Sequence, residues 1–361
     1  MLIVCAYANT LQNRFVRDDT QLILRNPDLS PGTPWSHYFT SDVWAFTHRG
    51  ERSRNNYYRP LGIATYRLTT QLFGFDPRAF HAVSLLFHLS ATLLAYAVLL
   101  QLTKRRVLGA AAAAIFAVHP IHTEAVAWVS ALPELGCAVC FLLAFWVYLL
   151  AARPSTAGSA EHLHTWTLRP GLWVLSCASF AVALLWKEMA LTLPIVIGAH
   201  IILCNPEPPS ILARLRRALW VMLPYGAAVG AYLLLRYYAL GFLYFSQRKW
   251  LLSPRDYVLT VVDLTAKYCW KLLLPLHLSA FHVFDPVRSL LEARVLAAIL
   301  FLLVAASAIA YGLRRAPLVS FAATSVFLTL VPALNLRGVG RNVFGERYLY
   351  IPSLGFCLLV A

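Results

Sequence analysis

Residues 80–106 read FHAVSLLFHLSATLLAYAVLLQLTKRR. The first part of this stretch is long and apolar enough to cross a bilayer as one helix, which takes about 20 residues. The stretch ends on Lys104, Arg105 and Arg106, and a basic cluster closing an apolar run marks the cytoplasmic end of a span. Residues 107–118 then return outward. Further apolar runs follow at 132–152, 171–185, 190–203, 218–235, 292–313 and 318–334, with partial runs at 1–11 and 354–361. None alternates polar with apolar residues as a barrel strand would, and backbone groups in lipid must find partners within their own segment. The spacing predicts an all-α, polytopic transmembrane helix bundle with about ten crossings, counting the partial ones.

Composition agrees. Of 361 residues, 59% are hydrophobic and 13% charged, where a soluble domain carries roughly a quarter charged residues. The formal net charge is +15. In a soluble chain that would suggest nucleic acid, but no basic helix with interleaved aromatics stands out, so no nucleic-acid partner is expected. The seven cysteines lie mostly in apolar segments. Cys137 and Cys140 form a CxxC within a helix, with no second ligand pair, and read as small apolar residues. Both ends look cut: 1–11 is too short to span and lacks the basic start of a signal peptide, and 354–361 begins an apolar run and stops. The chain reads as a fragment.

Threading the helices places Lys104–Arg106, Arg214–Arg217 and Arg314-Arg315 inside. The remaining polar clusters fall outside, in a first outer loop (12–78), an outer or interfacial region (236–290) and a last outer loop (336–353). The whole, 1–361, reads as one membrane domain. Within 256–276, Asp263, Lys267 and Lys271 recur at intervals of four and share a helical face, which predicts an amphipathic helix at the interface or against the bundle, with a second hairpin as the alternative. The first outer loop is expected to be too polar and too broken by Pro and Gly to cross.

Candidate site residues sit in those outer segments. Asp18 and Asp19 open the first outer loop. They read either as a solvated cap neutralised by Arg14 and Arg17, or as a general base able to deprotonate a hydroxyl. Arginine is abundant there (Arg14, Arg17, Arg25, Arg49, Arg52, Arg54, Arg59, Arg67, Arg78), with Arg337, Arg341 and Arg347 in the last loop. The positive-inside rule does not predict this excess. A planar guanidinium that stays charged suits phosphate, so the bias suggests an anionic lipid ligand or contacts to membrane-lipid headgroups. His119, His122 and Glu124 fall within six residues, but HxxH followed by TE is not the HExxH metal arrangement, so no metal site is expected, and the three read either as groups that bind sugar or phosphate or as groups that hold the neighbouring loop by hydrogen bonds. Lys187 and Glu188, between two apolar halves, read either as a functional pair or as an ion pair locking two helix ends.

Taken in order, FVRDDTQLILRNPDL (15–29), Thr33-Pro34-Trp35, Ser41-Asp42-Val43-Trp44, YRPLGIAT (58–65), Phe80-His81 with His88, HPIHTEAVAW (119–128), Lys187-Glu188 and ERYLYIPSLGF (346–356) resemble the transmembrane and tetratricopeptide-repeat O-mannosyltransferases, the TMTC family, and their bacterial relatives of the GT-C glycosyltransferase superfamily. The resemblance implies a GT-C-like membrane enzyme that moves a sugar, mannose in the family, from a polyprenyl- or dolichyl-phosphate carrier to a Ser or Thr hydroxyl of an acceptor protein on the non-cytoplasmic side. It implies an acidic residue of the first outer loop, Asp18 or Asp19, as base. It also implies Arg59, His119, His122, Glu124, Lys187, Glu188 and Arg347 as substrate and lipid-phosphate residues, with no metal or other cofactor. Two departures count. The family's tetratricopeptide repeats are absent, which puts acceptor recognition in doubt. The family's central Asp-Asn-Pro stretch is replaced by Phe245-Ser246-Gln247-Arg248-Lys249-Trp250. The second departure favours a bacterial-type relative in an inner membrane over the endoplasmic reticulum. Competing readings are a transporter or flippase of an anionic lipid-linked substrate, and an inactive truncated relative.

Overall fold

The computed structural model describes residues 1–48, 55–154, 166–205, 210–243, 252–336 and 343–361. Arg49, Arg52, Arg54, Arg337, Arg341 and the 245–250 stretch lie outside the described residues. The regular elements of the described chain are helices apart from one short antiparallel pair, β1 (Ala152–Pro154) and β2 (Trp166–Leu168). After a short α1 (Leu2–Tyr7) and α2 (Pro60–Phe73), the helical hairpin read from the sequence appears as α3 (Pro77–Thr103) and α4 (Arg106–Val118). Asp76 caps α3, its carboxylate accepting from the Arg78 amide at 3.0 Å, with Pro77 in the first turn; such a residue satisfies an N–H that has no partner inside the helix. The far end closes at Lys104, whose φ of 56° turns the chain within two residues.

There follow α5 (Thr123–Ala127), α6 (Leu132–Ala151), α7 (Pro170–Trp186), α8 (Leu193–Cys204), α9 (Ile211–Leu240), α10 (Pro254–Leu273), α11 (Ala293–Arg315), α12 (Pro317–Leu330) and α13 (Ser353–Val360). The middle of the bundle is α6, packed against α3 and α7. Its apolar window is 72% buried, against 17% for α11. A helix apolar all round belongs either in a protein interior or against lipid; α6 is interior, and α11 leaves most of its apolar surface uncovered by the bundle.

Among the described residues, five helices are long and apolar enough to cross a membrane, or six if α4 and α5, bent by 47°, count as one. The expected ten crossings are therefore not confirmed. Each apolar run does form a helix, but 2–12, 170–186 and 188–204 are shorter; at 1.5 Å per residue a 17-residue helix reaches about 26 Å, short of the roughly 30 Å core. The first outer loop carries a helix of its own, α2, which is not among the membrane-capable helices. The amphipathic helix forms as α10, with Lys267 paired to Asp263 at 2.7 Å, while Lys271 turns to the Leu276 and His277 carbonyls.

The hairpin order sorts the charges by end. Lys104–Arg106 at the α3–α4 turn, Arg214 after α8, which donates to the Ile202 carbonyl at 3.2 Å, and Arg314-Arg315 at the α11–α12 turn gather at one end of the helices. The 119–131, 187–192 and 343–352 segments gather at the other. There, α6 and α7 approach so closely that a Cβ on Gly136 would lie 2.3 Å from the Trp186 ring. Gly136→Ala is expected to force the helices apart at a cost of about 1–3 kcal/mol, read as a lower unfolding temperature of the purified protein in nanodiscs. An unchanged midpoint would show that the contact relaxes freely.

Candidate active site

The end of the bundle away from Lys104–Arg106 holds a cleft enclosing about 700 Å³ of space open to solvent. Its charged lining is Asp18, Arg59, Glu134, Lys187 and Arg347, and its aromatic walls are Trp44, Tyr57, Tyr66, Trp128 and Tyr348.

The aspartates divide at a kink. Arg17 has φ of 50°, left-handed backbone that a bulky residue seldom adopts, and the two carboxylates that follow point apart. Asp19 is fully buried. Its Oδ1 accepts from the Ser130 amide at 2.8 Å and from the Ser130 hydroxyl, and its Oδ2 accepts from the Val16 amide at 3.0 Å. Asp19 thus ties the first loop to the entrance of α6. Asp18 is exposed in the cleft, and its carboxylate has no hydrogen-bond or ion-pair partner among the described residues. Desolvation by the cleft walls raises its pKa above the ordinary 3.8, with Arg347 and Arg17 pulling the other way. Arg17 itself donates to the Ala280 carbonyl at 2.9 Å.

Three cations reach the cleft from three elements. Arg59, just before α2, grips Glu188 with two nitrogens at 2.6 and 3.3 Å, the forked geometry that suits a carboxylate. Burial pushes the Glu188 carboxyl up, but Arg59 and Lys187 outweigh it and hold it down to about 2. Lys187 sits in extended backbone at the end of α7, φ −164° and ψ 148°, so its side chain and that of Glu188 point to opposite sides. The two do not pair with each other. Lys187 is 1% exposed, donates to Glu134, and stands 4.6 Å from the centre of the Tyr348 ring. Burial, with Arg59 and Arg347 nearby, draws its pKa well below the usual lysine range. Arg347 donates its backbone amide to Glu124 at 2.9 Å and its guanidinium to the same carboxylate. Its Nε is 3.8 Å from Glu134, and its plane faces Trp128 and Tyr348 at 5.2 and 4.7 Å. Burial works against the charged guanidinium, yet Tyr348 and Glu124 raise its pKa further.

Of the residues expected at a site, Asp18, Arg59, Lys187 and Arg347 line the cleft. Glu124 and Glu188 stand behind it, each holding an arginine. His119 and His122 do not line it: His119 bonds the Leu272 carbonyl at 3.2 Å, and His122 bonds the Ser353 hydroxyl at 2.8 Å. They fasten the 119–122 turn to α10 and α13. Arg67 is also spent inside the fold, with the Pro31 carbonyl at 3.0 Å and the Trp35 ring at 4.3 Å. Among the described residues no group of three or more His, Cys, Asp or Glu could hold a metal ion. Glu134 and the aromatic walls were missed from the sequence. A lone carboxylate in an otherwise apolar span is a signal that could have found Glu134.

The fold and the cleft define a polytopic helical membrane protein with a charged, aromatic-walled site at one end. The chain is 31% identical to mouse protein O-mannosyl-transferase TMTC3 along its whole length, and 30% identical to the human TMTC3 protein. Over 52% of its length it is 38% identical to Drosophila melanogaster protein O-mannosyl-transferase Tmtc2. The chain belongs to the TMTC family. It spans 41% of the mouse and human TMTC3 proteins and 19% of the fly protein. These relatives are animal proteins, and they do not carry the expectation of a bacterial-type relative. No family model and no solved structure matches the chain.

The division between the aspartates gives a stability test. Asp19→Ala strands the Ser130 and Val16 donors and is expected to cost about 1–3 kcal/mol, whereas Asp18→Asn is expected to stay within about 0.5 kcal/mol of the parent. Thermal unfolding of both variants in the same nanodiscs checks this, and equal losses would overturn it.

Proposed function

We propose that this chain is the membrane part of a GT-C-type protein O-mannosyltransferase. It takes mannose from a polyprenyl- or dolichyl-phosphate carrier and transfers it to a Ser or Thr hydroxyl of an acceptor protein on the non-cytoplasmic face. The observation that carries this reading is Asp18, an unpaired carboxylate sharing one cleft with Arg59, Lys187, Arg347 and five aromatic walls. The names of the relatives, protein O-mannosyl-transferases, support the reaction class. The basic clusters at the opposite end of the helices support the sidedness, since cytoplasmic ends concentrate Lys and Arg. With animal relatives, the endoplasmic reticulum becomes the expected membrane.

In this reading Asp18 accepts the proton of the acceptor hydroxyl. The hydroxyl oxygen attacks the anomeric carbon from the face opposite the phosphate. The bond from that carbon to the phosphate oxygen breaks, and the electron pair leaves with the phosphate. Arg59, Lys187 and Arg347 stabilise the charge that gathers there, in a site where fixed cations act more strongly than in water. The aromatic walls offer flat apolar faces to the sugar ring, and Asp18 passes its proton to solvent through the open mouth. His119, His122, Glu124 and Glu188 serve by holding these groups in place.

Asp18→Asn is expected to lower transfer from radiolabelled polyprenyl-phosphate mannose by at least about 100-fold, the scale of a lost general base, with the protein still folded. Transfer at the parent rate would sink the assignment. The pH profile adds a sign. Only the ionised carboxylate can take the proton, and the Asp18 pKa is raised above 3.8. Transfer should therefore fall as the pH drops through that raised value, with its acid midpoint above the ordinary aspartate range. A rate that stays flat down to pH 3.8 would contradict a base with a raised pKa.

A further inference from the structure

The three cations in the cleft all have glutamate partners, but the partners are not equivalent. Arg59 is held by Glu188 and Arg347 by Glu124, and neither glutamate lines the cleft. The partner of Lys187 is Glu134, which does line it. Glu134 is 4% exposed and Lys187 is 1% exposed. Glu134 therefore occupies, from inside the same cavity, the cation that an incoming anion would need.

We propose that Glu134 is an internal counter-ion that holds Lys187 before the donor binds and yields it to the phosphate of the lipid-linked donor. The inference rests on the reading above that a phosphorylated lipid enters this cleft. Its geometry includes a place for the displaced carboxylate, because Glu134 Oε1 is already 3.8 Å from Arg347 Nε. A small rotation of the carboxyl trades one cation for another, so neither the glutamate nor the lysine is left alone at any stage. The need for a stand-in is electrostatic. A buried ammonium without a partner loses its proton, and Arg59 and Arg347 would both favour that loss. A neutral amine would offer the phosphate no charge and only weaker hydrogen bonds. Glu134 is the carboxylate in direct contact with Lys187, where an opposite charge favours the ammonium, and it does so at the expense of affinity, since the phosphate must compete with it.

The sign of this competition separates it from a purely structural role. A glutamate that only braces the fold would, on removal, weaken both stability and binding. A displaceable counter-ion, on removal, weakens stability but strengthens binding of the anion. The test uses the purified chain in nanodiscs, with sugar-free polyprenyl phosphate as the probe and neutral polyprenol as the control. Glu134→Gln, which keeps shape and hydrogen bonding, is expected to bind polyprenyl phosphate about tenfold more tightly, the order expected for removing one charge a few ångströms away. It should unfold at a lower temperature and leave polyprenol binding unchanged. Glu134→Asp, which keeps the charge but withdraws it by one methylene, provides a second variant should the amide fail to fold; it should shift affinity the same way by a smaller factor. A folded variant that binds polyprenyl phosphate no more tightly than the parent overturns the proposal alone. A parent that binds no polyprenyl phosphate overturns the donor reading and this proposal together.

Discussion

The contact between Glu134 and Lys187 is the constraint on which the rest of the site depends. Two ions that are almost wholly buried face each other across the junction of α6 and α7. Removing such a pair from water costs several kcal/mol per ion, and mutual attraction recovers that cost only with good geometry. The fold supplies the geometry by narrow means: a glycine on one helix, an indole on the other, and an extended residue at the end of α7 that turns the lysine inward. Arg347 then adds to Glu134 from the last loop, and Arg59 reaches Glu188 from the first. A set of charges this expensive at the end of a membrane bundle is better explained by an anionic ligand than by stability.

The segments that meet there are far apart in sequence, and each is tied more than once. The first loop is tied through Asp19 to Ser130, and through Arg59 to Glu188. The last loop is tied through Arg347 to Glu124, through Glu346 to the Ser279 amide and His282, and through Tyr350 to His88. The cleft is thus assembled from loops braced on rigid helices, an arrangement that keeps binding groups in place while leaving the mouth open.

Much of the fold was legible because hydropathy alone separates helices that must be apolar from loops that need not be. The number of crossings was not, because apolar runs of 10–17 residues and full spans look alike until the helix length is seen. At the site, residue types were legible and roles were not. Asp18 and Asp19 are identical in sequence, and only the kink at Arg17 separates an anchored carboxylate from a free one. Lys187 and Glu188 are adjacent in the chain, which suggested a mutual pair, but extended backbone sends neighbours to opposite sides. His119 and His122 could be read either as sugar- or phosphate-binding groups or as braces for the neighbouring loop, and only the partners of His119 at Leu272 and of His122 Nε2 at Ser353 show the bracing. Glu134 was hidden in an apolar run, where its charge registered as noise in the average.

The close approach of Gly136 to Trp186 reaches beyond packing. Because the indole fills the space a side chain on residue 136 would need, and residue 187 follows directly on the indole, the two positions cannot drift independently. A lineage could gain bulk at 136 only by losing it at 186, and the step between would pull the lysine off its glutamate. The pair should therefore behave as a single inherited unit, exchanged together or not at all.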